Sequence, residues 1–263
     1  MLPLFTTNTS GELCLKPISQ LVFEQLFNEN IREFCFIVGR GKRVIEDHFT
    51  PDHNFIDRLF SKNKENQALE LENFYKMLNE SKIVWINQAE PKGFGDAVLQ
   101  VKNLIQNDSH FLVHAGDTYI ISNNNIHLKR IIQHTSKSPT EVVLMTQKVD
   151  NPNDYGIIQG RHLKDRIEIS GVEEKPLNPK TNFAIMPIYV FTPLIFKAIE
   201  SLTPGIGGEI QLTDAIQKII NWGKKTEGLI LNQNDICLDI GTPNLFYDSQ
   251  VKSFKLSSNQ NSE

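Results

Sequence analysis

The chain has 263 residues, of which 40% are hydrophobic and 22% are charged. A chain of this length and composition can bury a core of its own, which excludes a peptide hormone, a disordered protein and a fibrous rod. Its 27 basic and 31 acidic residues leave a net charge of -4. The molecule as a whole therefore has no electrostatic attraction for nucleic acid or anionic lipid, and we expect neither as a partner.

Two further features bear on the cellular compartment. No apolar run approaches the roughly 18 to 20 residues that span a bilayer, and the N-terminus lacks the basic-then-apolar layout of a signal peptide. The three cysteines, Cys14, Cys35 and Cys237, are far apart and have no metal-type spacing, so we expect buried free thiols. These features predict a soluble, cytoplasmic protein.

Helical and strand patterns alternate along the chain. In order, the hydrophobic periodicity predicts a helix at 18–28, a strand at 34–38, a helix at 69–78, a strand at 83–86, a helix at 97–105, a strand at 111–115, a helix at 126–134, and strands at 142–146 and 185–191. This alternation predicts an α/β fold with a largely parallel sheet. Ligands of such sheets bind beyond the carboxyl ends of the strands.

A glycine-containing turn follows the second predicted strand. The segment 88–98 contains Gly93 and Gly95, which can adopt backbone angles closed to other residues and let a ligand approach the main chain. The helix that begins near Asp96 presents free N–H groups, which suit a nucleotide. The same glycines are also typical of a plain strand-to-helix turn, and the segment lacks the third glycine of the dinucleotide-binding fingerprint.

Two aspartates follow predicted strands. Asp117 comes after the strand at 111–115 and Gly116, and Asp239 follows another apolar strand. Two carboxylates in such positions can share one Mg²⁺ and leave its other octahedral positions to phosphate oxygens and water. An aspartate after glycine is also a common turn former, which is the alternative interpretation.

Two later segments carry charged or patterned residues. Glu174 offers acceptors for sugar hydroxyls and Lys175 offers a mobile ammonium for a phosphate, although such a pair is also typical of a solvated surface. At 208–220 the apolar residues Leu212, Ala215 and Ile216 share one helical face, so packing accounts for most of that segment.

The order of these motifs is more informative than any one of them. The motifs are Gln88 to Gly95, Gly116-Asp117, Tyr155-Gly156, Glu174-Lys175-Pro176, the run Glu-Ile-Gln-Leu-Thr-Asp-Ala-Ile at 209–216, and 239–243. In this order the chain resembles the sugar-phosphate nucleotidyltransferases from Met1 to about residue 250. The resemblance implies a three-layer, Rossmann-like α/β domain at 1–250 with a mixed, mostly parallel sheet, followed by a polar tail at 251–263.

The resemblance also implies a function. Members of this family bring a nucleoside triphosphate and a sugar 1-phosphate together over Mg²⁺, and the sugar phosphate attacks the α-phosphorus while pyrophosphate leaves. The implied substrates are UTP and glucose 1-phosphate, and a homo-oligomer is usual. The implied roles are nucleotide binding by Gln88, Gly93 and Asp117, sugar binding by Gly156, Glu174 and Lys175, metal binding by Asp117 and Asp239, and catalysis by Lys175, Asp117 and Asp239.

The chain departs from the family at two places. The family begins with a strand, a Gly-x-Gly-Thr-Arg loop and a Pro-Lys-Glu-Met-Leu-Pro segment, and Met1-Leu2-Pro3 matches only the end of the last. We expect Met1 to be an internal methionine of a longer product, or another segment to fill the gap, and residues 1–263 alone to fold poorly or lack activity. The alternative function is a non-catalytic, sugar-nucleotide-binding regulatory homologue. At Pro187 the family commonly has a glycine whose N–H approaches the sugar, and proline has no N–H, which leaves the sugar open.

Overall fold

The computed structural model describes residues 1–105, 108–205 and 208–259. Within them the chain forms two compact units. The first unit comprises Met1–Trp85, Gly116–Ile121 and the chain from Ile236 onward, and the second comprises Ile86–Ala115 and Ser122–Asp235. Each unit is therefore assembled from segments that are distant in sequence.

Strands and helices alternate through both units. The strands are β1 (Pro3–Thr7), β2 (Leu13–Pro17), β3 (Glu33–Gly39), β4 (Lys82–Gln88), β5 (Phe111–His114), β6 (Thr118–Ile121), β7 (Val142–Lys148), β8 (Gly156–His162), β9 (Arg166–Glu174), β10 (Phe183–Phe191), β11 (Thr226–Ile230) and β12 (Ile236–Asp239). The helices are α1 (Ile18–Asn28), α2 (Arg43–His48), α3 (His53–Ser61), α4 (Glu65–Asn79), α5 (Phe94–Leu99), α6 (Lys102–Ile105), α7 (Ile126–Lys137), α8 (Leu194–Glu200), α9 (Leu212–Asn221) and α10 (Pro243–Asn259). The predicted α/β character is confirmed.

The second unit is built around a six-stranded sheet in the order β5-β10-β7-β11-β9-β8. The pairing of β7 with β11 is parallel, and the other pairings in this sheet are antiparallel. The sheet is thus mixed, as expected, but the expectation of a mostly parallel sheet is wrong for it. The reason is that β8 and β9 form a hairpin and β10 runs back beside β7, and neither arrangement uses the crossover helix that parallel neighbours need.

Pro187 lies inside β10, between β5 and β7. The register of β10 against β7 shifts between Met186 and Tyr189, so the proline sits in an irregularity of the ladder. Bulges of this kind are where a sheet tolerates a residue without an N–H. The carbonyl oxygen of Pro187 accepts a hydrogen bond from Ala115 N at 3.0 Å, so its remaining polar group is satisfied.

An aromatic cluster forms the core of the first unit. Phe23 of α1 contacts the rings of Phe34, Phe49 and Phe74, with centroids 4.7, 5.4 and 6.0 Å away. The contacts to Phe49 and Phe74 are edge-to-face, an arrangement that aromatic quadrupoles favour. Through these rings α1 is packed against β3 and α4.

Strands β1 and β2 form an antiparallel hairpin at the start of the chain. Lys16 pairs with Glu24 of α1 at 3.0 Å and with Glu70 of α4 at 3.7 Å, beside a polar cavity of about 480 Å³. Burial alone would lower the pKa of Lys16, but the charge of Glu24 and then that of Glu70 raise it above its ordinary value. The ion pairs thus tie the hairpin to both helices.

Helix α10 runs along the edge of β1. Ser253 is fully buried and its Oγ accepts a hydrogen bond from Phe5 N at 3.3 Å, while Gln250 Nε2 donates to Pro3 O. These side chains satisfy backbone groups that an edge strand otherwise leaves open. The predicted boundary at residue 250 therefore falls inside α10, and residues 251–259 are helical rather than a free polar tail. The rest of the predicted tail lies outside the described residues.

None of the helices in the described ranges is long and apolar enough to cross a membrane. The cysteines are free thiols, as predicted, but Cys35 is exposed, while Cys14 and Cys237 are half-buried. Burial raises the pKa of the Cys237 thiol to about 12. The helix predicted at 97–105 is interrupted, since α5 ends at Leu99 and α6 begins at Lys102.

Candidate functional site

The glycine turn after β4 is held by the segment that precedes α9. Gly95 N donates a hydrogen bond to Ile210 O at 2.9 Å, and Ile210 N donates to Lys92 O at 2.7 Å. A Cβ atom on Gly93 or Gly95 would lie 2.8 or 2.7 Å from Ile210 O. Gly93 also has a φ of +96°, which favours glycine. The two glycines are therefore required by the close approach of Ile210.

The close approach of Ile210 predicts that alanine at position 95 destabilises the protein, although alanine normally stabilises a helix. Gly95 lies in the first turn of α5, where alanine is intrinsically better than glycine by about 1 kcal/mol. Because the new Cβ would clash with the Ile210 backbone, we expect Gly95→Ala to lose about 1–3 kcal/mol of unfolding free energy in urea denaturation. Gly39→Ala is the control, since among the described residues no atom beyond its chain neighbours lies within 4 Å of its Cβ position. Equal stability of Gly95→Ala and wild type would contradict the contact.

Gln88 ends β4 beside this turn. Its Nε2 donates hydrogen bonds to Asp96 Oδ2 at 2.7 Å and to Gly93 O at 3.4 Å. Asp96 lies in the first turn of α5, where the helix N-terminus favours a carboxylate. Gln88 and Gly93 were predicted from the sequence as site residues, whereas Asp96 was predicted only as the start of the helix. The structure makes Asp96 the partner of Gln88.

A second group of predicted residues meets where β8 begins and β9 ends. Gly156 and Glu174 are direct partners in the β8–β9 ladder, and Thr213 Oγ1 of α9 donates to Glu174 Oε2 at 2.6 Å. A Cβ on Gly156 would lie 3.0 Å from Glu174 Oε2 and 3.2 Å from Thr213 Oγ1. Glycine at 156 therefore leaves room for the carboxylate and its hydroxyl partner.

Lys175 follows in a strained backbone conformation. Its φ is +42°, in the left-handed region that costs a residue with a side chain about 1–3 kcal/mol. The conformation is held by hydrogen bonds from Lys175 N to Tyr155 O at 3.1 Å and from Asn153 Nδ2 to Pro176 O at 2.9 Å. The Lys175 side chain is exposed and forms no ion pair within the described ranges. The turn thus presents a cation at the end of β9.

Helix α9 buries an apolar face and also contacts the end of β9 through polar side chains. Its apolar face is buried as predicted, at Leu212, Ala215, Ile216 and Ile219. Beside that face, Thr213 binds Glu174, and Gln217 Oε1 accepts a hydrogen bond from Val172 N of β9 at 2.7 Å. Thr213 and Gln217 were not predicted from the sequence. Their signal was the four-residue spacing of two polar side chains next to an apolar stripe.

The two aspartates lie together in the first unit. Thr118 and Asp239 are partners in the β6–β12 ladder, and Ile240 N donates to Asp117 O at 3.0 Å. Asp239 Oδ1 accepts a hydrogen bond from Gly241 N at 2.7 Å. A Cβ on Gly241 would lie 3.1 Å from Asp239 Oδ1 and 3.6 Å from Asp117 Oδ2. Both carboxylates therefore border the same small space.

The surroundings of Asp239 disfavour its charged form. Burial raises the pKa of Asp239, the hydrogen bond from Gly241 N lowers it, and the charge of Asp117 raises it again, for a net increase. A divalent cation would relieve this repulsion, and oxygen ligands are what Mg²⁺ prefers, so the donor set fits that ion. In the part of the chain that the structure describes, no group of three or more His, Cys, Asp or Glu residues is arranged to hold a metal.

Comparisons with known proteins cover most of the chain. A profile of the family described as "Nucleotidyl transferase" matches residues 12–255. The UTP–glucose-1-phosphate uridylyltransferase of Bacillus subtilis is 36% identical over 214 residues, 78% of this chain and 70% of that protein. Its counterpart from Pseudomonas aeruginosa is 30% identical over 207 residues, 77% of this chain and 73% of that protein. A crystal structure of UDP-glucose pyrophosphorylase complexed with UDP-glucose superposes with a TM-score of 0.79 at 25% identity, covering 92% of this chain and 88% of that one.

Proposed function

This chain belongs to the nucleotidyl transferase family, and we propose that its reaction is the transfer of a uridylyl group from UTP to glucose 1-phosphate, which yields UDP-glucose and pyrophosphate. The names of the bacterial relatives support this choice of substrates. The reaction joins two polyanions, so the protein must bring them together and neutralise the charge that develops on the α-phosphate.

The observation that carries the proposal is the arrangement at the end of β9. Thr213 donates a hydrogen bond to the carboxylate of Glu174, which lies beside Gly156. The next residue, Lys175, is exposed in a strained turn. A fixed carboxylate accepts hydrogen bonds from sugar hydroxyls, and a neighbouring ammonium binds phosphate. Together these groups suit a hexose 1-phosphate, with Gly156 bordering the sugar ring.

The proposal assigns the nucleotide to the β4–α5 turn. Gln88 is fixed by its hydrogen bonds to Asp96 and Gly93, and the backbone at Gly93 is fixed by the close approach of Ile210. These two fixed groups would bind the base. Lys175 would bind the sugar phosphate and stabilise its charge as the phosphate oxygen attacks the α-phosphorus in line. No side chain is required as a nucleophile.

Asp117 and Asp239 are proposed as the residues that hold Mg²⁺. A bound divalent cation supplies neutralisation of phosphate charge and orientation of the phosphate oxygens. In this chain Gly241 N fixes one oxygen of Asp239, which orients the carboxylate before any ion binds.

The direct test measures pyrophosphate release by a form of the protein that extends upstream of Met1, with Mg²⁺, each common triphosphate and a panel of sugar 1-phosphates. We expect the highest kcat/KM with UTP and glucose 1-phosphate. Lys175→Gln should lower kcat/KM by about a hundredfold, since an electrostatic contact to the reacting phosphate is lost. Lys180→Gln, which removes an exposed lysine from the same loop, should change it less than twofold.

Three outcomes of this test are decisive. Absence of pyrophosphate with every pair of substrates would contradict a transferase. Calorimetric binding of UDP-glucose without turnover would favour the regulatory alternative. Turnover with another hexose 1-phosphate would keep the reaction and replace glucose, in line with the proline at 187.

A further inference from the structure

We propose that Asp96 is a positioning residue that determines base selectivity, because it holds the Gln88 amide with its oxygen directed away from the turn and available to the base. The site would then select a base that carries an imide N–H, namely uracil or thymine, over cytosine. This inference deepens the proposed function and rests on it.

The direction of the Gln88 amide follows from the chemistry of its partners. Asp96 Oδ2 at 2.7 Å and Gly93 O at 3.4 Å are both hydrogen-bond acceptors. An amide has two N–H donors on one side and a carbonyl acceptor on the other, so only its nitrogen can satisfy these two oxygens. The oxygen Oε1 is left on the opposite side of the group and takes no hydrogen bond from any residue that the structure describes.

An amide oxygen in this position distinguishes the pyrimidines. Uracil and thymine carry a hydrogen on N3 and can donate it to Oε1. Cytosine has a lone pair at N3, so two acceptors would face each other and both would lose their hydrogen bonds to water. A site built to accept a hydrogen bond discriminates strongly against a ligand that cannot donate one.

Asp96 rather than Gly93 provides most of the restraint. Its hydrogen bond with Gln88 is short, whereas the contact with Gly93 O is near the limit of hydrogen-bond distance. Asp96 is itself fixed on α5, whose first turn is held by the hydrogen bond from Gly95 N to Ile210 O. Without Asp96 the amide can rotate and present its nitrogen, which suits cytosine.

The experiment measures the ratio of the Kd values for CDP-glucose and UDP-glucose by calorimetry, which does not depend on turnover. We expect wild type to favour UDP-glucose and Asp96→Ala to reduce this preference about tenfold. Asp96→Asn, which keeps an acceptor oxygen, should retain most of the preference. Binding of dTDP-glucose should change in parallel with that of UDP-glucose, because the two bases share the imide N–H.

Two controls separate amide positioning from other effects. Glu90→Ala removes an exposed carboxylate from the same turn, where its partner is Lys92, and should leave the ratio unchanged. In a Gln88→Leu background, Asp96→Ala should have no further effect on the ratio, since Asp96 acts through Gln88.

The outcomes distinguish this inference from the function on which it rests. Wild type that binds none of these sugar nucleotides would overturn the proposed function and the role of Asp96 together. Binding with an unchanged ratio in Asp96→Ala would overturn only the role of Asp96, as would an effect that persists in the Gln88→Leu background. If Asp96→Ala does not fold, Asp96→Asn provides the test. A reduction of its preference by about tenfold, the size expected for alanine, would overturn the role of Asp96.

Discussion

Replacing Asp239 with asparagine is expected to lower kcat by about a thousandfold, and Asp117→Asn is expected to do the same. Each change removes one of two carboxylates that border a common space and that are proposed to hold Mg²⁺. Asparagine keeps an oxygen that can accept the hydrogen bond from Gly241 N, so the local backbone should be preserved. The measurements are pyrophosphate release and Mg²⁺ binding by calorimetry.

The stability of Asp239→Asn separates this role from a structural one. The folded state raises the pKa of Asp239, first through burial and then, against the hydrogen bond from Gly241, through the charge of Asp117. The contribution of Asp239 to the stability of the native state therefore falls as pH rises through its folded-state pKa. The reason is that the folded state releases the proton of Asp239 less readily than the unfolded state does. A neutral asparagine avoids that cost, so without Mg²⁺ its melting temperature at neutral pH should equal or slightly exceed that of wild type.

Mg²⁺ should reverse this order, since a ligand that binds the native state stabilises it. We expect Mg²⁺ to raise the melting temperature of wild type and of Asp248→Asn, which changes an exposed aspartate of the same unit, but not that of Asp239→Asn. Unfolding of both site variants would support the alternative that the aspartates are turn formers. Normal turnover in either one would remove it from the metal site.

Replacing Glu227 with glutamine should lower the free energy of unfolding by about 3 kcal/mol. Glu227 lies on β11 with only 2% of its side chain exposed, and its carboxylate contacts His134 Nε2 at 2.7 Å, Arg166 Nε at 3.1 Å and Lys225 Nζ at 3.2 Å. Glutamine is neutral, so the three nitrogens would lose the negative charge that they surround. Urea denaturation at neutral pH measures the loss.

The effect should depend on pH. Burial would raise the pKa of Glu227, but hydrogen bonds from His134 and Lys225, and their charges, lower it from 4.5 to about 2. Because the folded-state pKa is depressed, the stabilisation is complete above the unfolded-state value and is lost as pH falls towards the folded-state value. The difference between wild type and Glu227→Gln should therefore shrink on acidification from about pH 5 to about pH 2.

Glu168→Gln is the matched control for this prediction. Glu168 is the register partner of Glu227 on β9, and its ion pair with Arg161 is largely exposed. Exposed pairs contribute about 0–1 kcal/mol, so we expect little change at any pH. Equal effects of the two substitutions would contradict a special role for the buried carboxylate.

Local patterns in the sequence predicted much of the secondary structure. Helix α1 was predicted with its observed bounds. The strands predicted at 34–38, 83–86, 111–115, 142–146 and 185–191 correspond to β3, β4, β5, β7 and β10, and the strand predicted before Asp239 corresponds to β12. The hairpin of β1 and β2 was missed, and the polar end of the chain was assigned to a tail. The helical course of 251–259 depends on contacts such as that of Ser253 with the edge of β1, which no periodicity reveals.

The candidate site shows the same division. Gln88, Gly93, Gly156, Glu174 and Lys175 were selected from motifs, and the structure places them at two turns of the second unit, while Asp117 and Asp239 lie together in the first. Asp96 and Thr213 were not predicted as hydrogen-bond partners of these residues. Each contacts a residue eight or more positions away in the chain, and the pairing of Thr213 with Glu174 spans 39 residues.

By itself, the sequence determined the order of most helices and strands, the family, and the chemical types available for binding phosphate and sugar. These depend on local spacing and on motifs, since the backbone geometry of helices and strands imposes its own period on apolar residues. Only the tertiary structure decided the strand directions, the hydrogen bonds between Ile210 and the glycine turn, and the orientation of the Gln88 amide. Those features depend on hydrogen bonds between distant segments, whose partners are chosen by packing rather than by local pattern.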